Sequence, residues 1–174
     1  PLGLVSNGGF EEGEELPGWW ARYPQEESAA SRHVRDTSEV RSGSAAGLLW
    51  STAKRPAGQA PLQFSRYGIA VRGGSALDVS FYVRSEAVAA AGAGCHFYGE
   101  DRKHLGFVSI PGPQSADDWT LVRQSVRVPT AARTMGFVLY AKDLGKTWYD
   151  DVAVIVDRQA TARLNAAIKR FEIP

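Results

Sequence analysis

The stretch LDVSFYVR at residues 77–84 decides the fold class of this chain. Leu, Val, Phe and Val alternate in it with Asp, Ser, Tyr and Arg, so apolar side chains recur at every second position. A period of two predicts a β-strand with one face buried and the other in contact with water. The turn just before it, Arg72-Gly73-Gly74, supplies glycines for a tight reversal of the chain.

Short runs of Val, Phe, Tyr, Leu and Ile recur along the rest of the chain, separated by Gly, Pro, Ser and Asp. This punctuation is typical of an all-β sandwich or barrel. We predict eight or nine strands. Besides residues 77–84, they lie at residues 46–51, 62–71, 94–98, 106–110, 120–128, 134–141 and 147–157. The Ala-rich residues 87–93, interrupted by Gly92, are interpreted as a loop.

The end of the chain has a different pattern. Leu164, Ala167, Ile168 and Phe171 fall at i, i+3, i+4 and i+7, which predicts a helix with one apolar stripe over residues 159–171. So short a helix is marginal in water unless it packs on something. We therefore divide the chain into a sandwich, residues 4–157, and a helical tail or linker to a further domain, residues 158–174.

Composition excludes few function classes but gives no sign of an unusual partner. The 174 residues carry a formal net charge of +1, which gives no general reason to expect nucleic acid or an anionic membrane. No stretch approaches the roughly 20 apolar residues of a membrane span. The single cysteine, Cys95, cannot form an internal disulfide and is interpreted as a small buried hydrophobe.

No motif predicts catalysis. The acidic runs at residues 11–15 and 26–27 lie in polar loops and are interpreted as solvent-facing surface. His33, His96 and His104 do not have the spacing of metal-ligand motifs. The sequence also has no nucleophile elbow and no phosphate-binding glycine loop before a helix. We therefore expect a protein that is not an enzyme.

Several motifs resemble those of one class of module. The chain reads LVSNGGFE at residues 4–11, PGW at 17–19, VRGG at 71–74 and TWYDDV at 147–152, and Trp119 precedes a strand ending in Val128-Pro129. In this order they resemble the jelly-roll carbohydrate-binding modules of families four, nine and twenty-two, over residues 4–155. The resemblance implies a β-sandwich jelly roll of two antiparallel sheets. It also implies a monomeric, non-catalytic module, secreted or at the cell surface, that holds a tethered polysaccharide-degrading enzyme on its glycan.

The same resemblance implies a structural calcium ion near the two ends of the sandwich. Its ligands would be Glu11, Asp151 and the carbonyl oxygen of Gly9. Calcium prefers six to eight oxygen ligands, so two carboxylates from opposite ends of the chain would clip the first strand to the last. Residues 41–44, where relatives can supply a further ligand, contain no carboxylate.

Sugar binding needs flat apolar rings for the C–H face of a pyranose and a few polar groups for its hydroxyls. The resemblance places Tyr82 and Arg84 on the concave, glycan-binding sheet, with Gln63 and Phe137 on the same face. Alternation around Cys95 predicts that its neighbours on the same strand point outward. The full set of predicted ligand-binding residues is Tyr82, Arg84, His96, Tyr98, Gln63, Trp50, Trp20 and Phe137.

Two alternatives stay open at this point. In the first, the sandwich is a spacer that orients a neighbouring catalytic domain, and the tail helix docks on that domain. In the second, the chain is a jelly-roll polysaccharide lyase that uses Gln63, Arg84, His96 and Tyr98 on one face. Arg84 beside His96 would also suit a uronate or a sulfate better than a neutral sugar.

Overall fold

A computed structural model describes residues 3–25, 28–87, 90–113 and 116–171, with side chains described as far as residue 166. The predicted surface run at residues 26–27 therefore lies outside the described residues. The strands are β1 (Ala21–Tyr23), β2 (Ser31–Asp36), β3 (Ala46–Ser51), β4 (Leu62–Ala70), β5 (Ala76–Glu86), β6 (Ala90–Tyr98), β7 (His104–Pro111), β8 (Ala116–Arg127), β9 (Thr134–Lys142) and β10 (Gly145–Asp157). One helix follows, α1 (Arg158–Phe171).

The strands form two five-stranded antiparallel sheets that pack face to face. Sheet I has the order β1-β4-β9-β6-β7, and sheet II has the order β2-β3-β10-β5-β8. The predicted β-sandwich jelly roll is confirmed. On β5, Leu77, Val79, Phe81 and Val83 are all fully buried, as their alternation predicts. Along each strand, side chains therefore point alternately into the core that the two sheets share and out to solvent. The two sheets present two opposite outer surfaces.

Aromatic side chains from both ends of the chain fill the core. Phe10 stacks on Trp20 with 5.5 Å between ring centroids, and Phe64 lies 5.7 Å from Phe10. Tyr149, on β10 of sheet II, crosses the core and bonds the main chain of sheet I through its hydroxyl. The two sheets are thus joined by ring packing and by one buried phenol.

Three parts of the sandwich differ from the prediction. Strands β1 and β2 were not predicted, and residues 87–93 are not a loop throughout, because β6 begins at Ala90. Ala and Gly have weak strand propensity, but β6 pairs with β9 on one edge and β7 on the other. Its Ala91 and Ala93 side chains are buried in the core between the two sheets. Pairing on both edges overrides the local preference.

Helix α1 starts directly after the last strand. The Asp157 carboxylate accepts a hydrogen bond from the Ala160 N–H (2.9 Å), which caps the first turn. Thr161 Oγ1 accepts a hydrogen bond from the Ala76 N–H (2.9 Å), so the helix start is tied to β5. Three members of the predicted stripe, at 167, 168 and 171, have side chains outside the described residues. Within the part of the chain that the structure describes, no helix is long and apolar enough to cross a membrane.

Candidate functional site

The outer surface of sheet I carries a cluster of rings, which we call the aromatic face. Its members are Tyr67 on β4, His96 and Tyr98 on β6, and His104 and Phe107 on β7. Because Cys95 and Phe97 face the core, the side chains at 96 and 98 must face outward. The register then places Phe107 opposite His96 and His104 opposite Tyr98.

The rings of the aromatic face touch one another in a continuous layer. His96 lies 4.4 Å from Phe107 and 6.0 Å from Tyr67, measured between ring centroids. Tyr98 lies 6.3 Å from Tyr67 and 5.3 Å from His104. Tyr67 is 48% exposed and Phe107 is 45% exposed, so the two outermost rings present open surface on either side of His96.

Glycines beneath the two exposed rings let them pack closely against the main chain of the sheet. A methyl group on Gly136 would come within 2.3 Å of Tyr67 ring atoms, and one on Gly94 would come within 2.3 Å of the Phe107 ring. Such distances are far below van der Waals contact, so no other residue type fits without moving the rings. The absence of two side chains therefore fixes the height and tilt of the aromatic face.

A second row of polar and aromatic groups crosses the same outer surface. Tyr23, Gln63 and Tyr140 are register partners on β1, β4 and β9. Tyr140 stands four residues from Gly136 on β9, so the row lies about 13 Å along the strand from the ring layer. The Tyr140 hydroxyl is 3.3 Å from Ser109 Oγ, and Tyr23 is 47% exposed.

Partial burial favours the neutral form of two groups of the aromatic face, His96 and Tyr67. The pKa of His96 is lowered below the usual histidine value, mainly by partial burial and to a smaller extent by the neighbouring His104. The pKa of Tyr67 is raised, mainly by partial burial and to a smaller extent by Tyr98 and Tyr23. A neutral imidazole and a neutral phenol can each donate and accept hydrogen bonds, which suits hydroxyl groups.

Tyr82, Arg84 and Trp50 lie on the opposite surface of the sandwich, because their strands belong to sheet II. The prediction that Gln63 and Phe137 lie on the same face as Tyr82 and Arg84 is therefore wrong, because β4 and β9 belong to sheet I. A period of two tells which residues point outward, but not to which sheet a strand belongs. The four residues of the lyase alternative are not assembled on one face either.

Cations cover the rings of sheet II. The Arg41 guanidinium lies 3.7 Å above the Tyr82 ring centroid, and Arg32 lies 5.8 Å from the ring of Trp50. Arg84 pairs with Glu39 and lies 5.3 Å from the ring of Trp148. These contacts occupy the guanidinium of Arg84 and cover part of the rings. Among the described residues, the exposed large aromatic side chains, Tyr23, Tyr67 and Phe107, all belong to sheet I.

Phe137 and Trp20 are core residues and not ligand-binding residues. Phe137 is fully buried between Met135 and Leu139 on β9. Trp20 is 8% exposed, stacks on Phe10 and donates its indole N–H to the Asn7 carbonyl oxygen (3.1 Å). Of the predicted set, His96, Tyr98 and Gln63 lie on the outer surface of sheet I. Tyr67, His104, Phe107 and Tyr140 were not predicted there.

The residues predicted to bind calcium lie where the N-terminal segment meets β10, but the carboxylate beside Gly9 is that of Asp150 and not that of Asp151. A methyl group on Gly9 would lie 3.9 Å from both Glu11 Oε1 and Asp150 Oδ1, so these two carboxylates flank Gly9. The Asp151 carboxylate instead binds Arg41 and Ser42 Oγ. A bulge after Asp150, with Asp151 at φ +49°, turns the two carboxylates in different directions.

Asp150 is a fully buried carboxylate. Its oxygens accept hydrogen bonds from the N–H groups of Arg41 (3.1 Å), Ser42 (3.0 Å) and Asp151 (2.7 Å). Burial nevertheless raises its pKa above the usual aspartate value. Among the described residues, no group of three or more His, Cys, Asp or Glu is gathered for a metal. The Glu11 carboxylate accepts hydrogen bonds from the N–H and hydroxyl groups of Ser44. Both carboxylates supply the hard oxygen donors that calcium prefers.

Comparison with solved structures identifies the fold. The enzymatically active domain of tailspike protein 4 from bacteriophage CBA120 superposes with a TM-score of 0.67 at 14% identity, over 89% of this chain. A cyclase from Fischerella sp. TAU gives 0.66 at 10% identity, over 88% of this chain and 95% of the cyclase. The CBM22-1 xylan-binding domain of Paenibacillus barcinonensis Xyn10C gives 0.63 at 12% identity, over 88% of this chain and 93% of that domain.

The present chain spans about a fifth (21%) of the tailspike domain, but nearly all of the xylan-binding domain. No protein-family model matches the sequence. No curated protein matches it either. The structural matches confirm the resemblance to jelly-roll carbohydrate-binding modules as a likeness of fold. Because they include a cyclase and a tailspike enzyme domain, the fold alone does not assign an activity.

Proposed function

We propose that this chain is a non-catalytic carbohydrate-binding module that holds a polysaccharide or oligosaccharide on the aromatic face. One observation carries the proposal: Tyr67 and Phe107 are each about half exposed and pack directly over glycines, on either side of His96. Flat, open rings are the surface that the C–H face of a pyranose needs. The covered rings of sheet II do not offer this.

Recognition on this face combines stacking with hydrogen bonds. Tyr67 and Phe107 would receive sugar rings, while His96, Tyr98 and Gln63 would bond hydroxyl groups. All five lie on one outer surface, so a chain of several sugars can contact them together. An open face leaves much of the ligand in water, so we expect weak affinity from a single module.

The family 22 domains of similar fold include xylan-binding domains and a module–enzyme pair complexed with xylohexaose. Xylan and xylohexaose are therefore the first ligands to test. We further propose that the module belongs to an exported polysaccharide-degrading protein and is monomeric. Tethering would raise the effective concentration of glycan for an attached enzyme, which makes weak binding sufficient.

We also propose a structural calcium ion beside Gly9. Glu11, Asp150 and the Gly9 carbonyl oxygen would hold it. Asp150 replaces Asp151 in this set because its carboxylate is the one that flanks Gly9. The ion would compensate the buried charge of Asp150 and fasten the N-terminal segment to β10.

Binding to xylan and xylohexaose tests the glycan proposal, with a glycan array for other sugars. Tyr67→Ala and Phe107→Ala should each weaken binding about tenfold, because a stacked ring contributes about 1.4 kcal/mol through contact and burial. Tyr82→Ala is the matched control, since it removes a tyrosine ring from the opposite surface. It should leave binding unchanged.

Gly136→Ala provides a subtler variant that removes no aromatic side chain. The new methyl group would lift Tyr67 from the sheet, so binding should weaken although no ligand-contacting side chain is lost. Equal binding by the parent protein and both ring variants would refute the assignment of the face. Release of new sugar ends or unsaturated uronates during incubation would refute the non-catalytic role.

A further inference from the structure

A histidine pair on the aromatic face has a geometry that glycan binding does not require. His96 Nδ1 and His104 Nε2 lie 3.3 Å apart on neighbouring strands and share a hydrogen bond, in which one ring donates and the other accepts. Two imidazole nitrogens that share a tetrahedral zinc ion, each about 2.0–2.1 Å from the metal, are separated by about 3.3 Å. The two nitrogens therefore already stand at the spacing of two ligands on one ion.

Neighbouring structure holds both rings in this arrangement. His96 is packed between Tyr67 and Phe107, and His104 contacts the ring of Tyr98. The connection between β6 and β7 is short and closed by its own hydrogen bond, from the Gly99 N–H to the Lys103 carbonyl oxygen (2.9 Å). A bulge at Phe97/Tyr98 brings His104 level with Tyr98 and thereby close to His96. Ligands on paired strands lose little freedom when a metal binds.

We propose that His96 and His104 bind a divalent transition-metal ion, with zinc as the probe, at the edge of the aromatic face. Each imidazole would bind through the nitrogen that now faces its partner. The ring that donates the present hydrogen bond would change tautomer, so that in both rings the one proton lies on the other nitrogen. Water would complete the coordination, because His104 is exposed to solvent.

This site differs in chemistry from the calcium site proposed beside Gly9. Imidazole nitrogens suit zinc, copper and nickel, whereas carboxylate and carbonyl oxygens suit calcium. Excess calcium should therefore not compete with zinc at the histidine pair. The inference is also independent of the glycan proposal, since it predicts binding of a metal by the protein without any sugar.

Zinc titration of the tag-free protein by isothermal calorimetry, with excess calcium present, tests the site. We expect one zinc per chain. His96→Gln and His104→Gln should each weaken binding at least about tenfold, since even partners beyond the ligands often matter that much. His104→Gln with a parental circular dichroism spectrum and melting temperature excludes unfolding as the cause. Absence of zinc and nickel binding, or unchanged binding in both variants, would overturn the site.

Discussion

The buried phenol of Tyr149 offers a sharp test of how the two sheets are held together. Its oxygen accepts a hydrogen bond from the Gly92 N–H (2.8 Å) and lies 2.5 Å from the Tyr140 carbonyl oxygen and 2.9 Å from the Gly92 carbonyl oxygen. Burial raises the pKa of Tyr149 far above the usual tyrosine value, so the hydroxyl keeps its proton and remains a donor. Tyr149→Phe removes this oxygen and leaves the ring.

The expected loss of stability follows from the main-chain groups that Tyr149→Phe leaves buried without a hydrogen-bond partner. The Gly92 N–H would stay buried without its phenol acceptor, and an unsatisfied buried group costs about 1–3 kcal/mol. The ring keeps its packing against Phe81, with centroids 5.8 Å apart, so the loss of van der Waals contacts is small. We therefore expect Tyr149→Phe to lower the free energy of unfolding by about 2 kcal/mol, or about 4–8 °C in melting temperature.

Urea unfolding followed by tryptophan fluorescence measures this change. The midpoint should fall while the slope m stays constant, because the surface exposed on unfolding is nearly the same. Tyr140→Phe is the matched control: its hydroxyl points away from the core between the sheets, 3.3 Å from Ser109 Oγ, and its main-chain carbonyl is kept. It should cost less than about 0.5 kcal/mol. If both variants unfold at the parental midpoint, the phenol does not join the sheets.

Three further predictions follow from other parts of the sandwich. Cys95, whose pKa burial raises to about 12, should resist alkylation at mildly alkaline pH until the protein is unfolded, and rapid labelling of the native protein would contradict its placement. Burial opposes ionisation of Asp36, but hydrogen bonds from Ser38 and Trp148 outweigh it and lower its pKa. The stability it contributes is complete above the unfolded value of about 3.9 and is lost as pH falls through the lower folded value, so Asp36→Asn should weaken the acid dependence of the melting temperature. Chelation of calcium should lower the melting temperature of the parent but not of Glu11→Gln, and identical parental melting with and without calcium would contradict the calcium proposal.

The fold could be predicted from the sequence because one face of several strands is polar. On β5 the alternation is complete, and burial follows it residue by residue. On β9 the run from Met135 to Ala141 is buried on both faces. Without alternation the sequence does not show which of its side chains face the core, so Phe137 could not be assigned to the core side. Sheet membership caused the larger error. Tyr82 and His96 both point outward, but strand order sends them to opposite surfaces.

The missed members of the aromatic face share a cause. Tyr67 lies in an irregular stretch of β4, between Arg66 and Ile69, where the register shifts and alternation no longer applies. Phe107 resembles an ordinary core residue until its partner across the ladder, His96, is known. Ring contacts between strands depend on pairing register, which a single sequence does not encode as a local pattern.

The glycines under Tyr67 and Phe107 imply that the contour of this surface is governed from below. A single methyl or hydroxymethyl group added at 94 or 136 would raise one ring and leave the other, and so change their relative heights. Selectivity between a flat, ribbon-like glycan and a twisted one could thus be altered without changing any atom that touches the sugar.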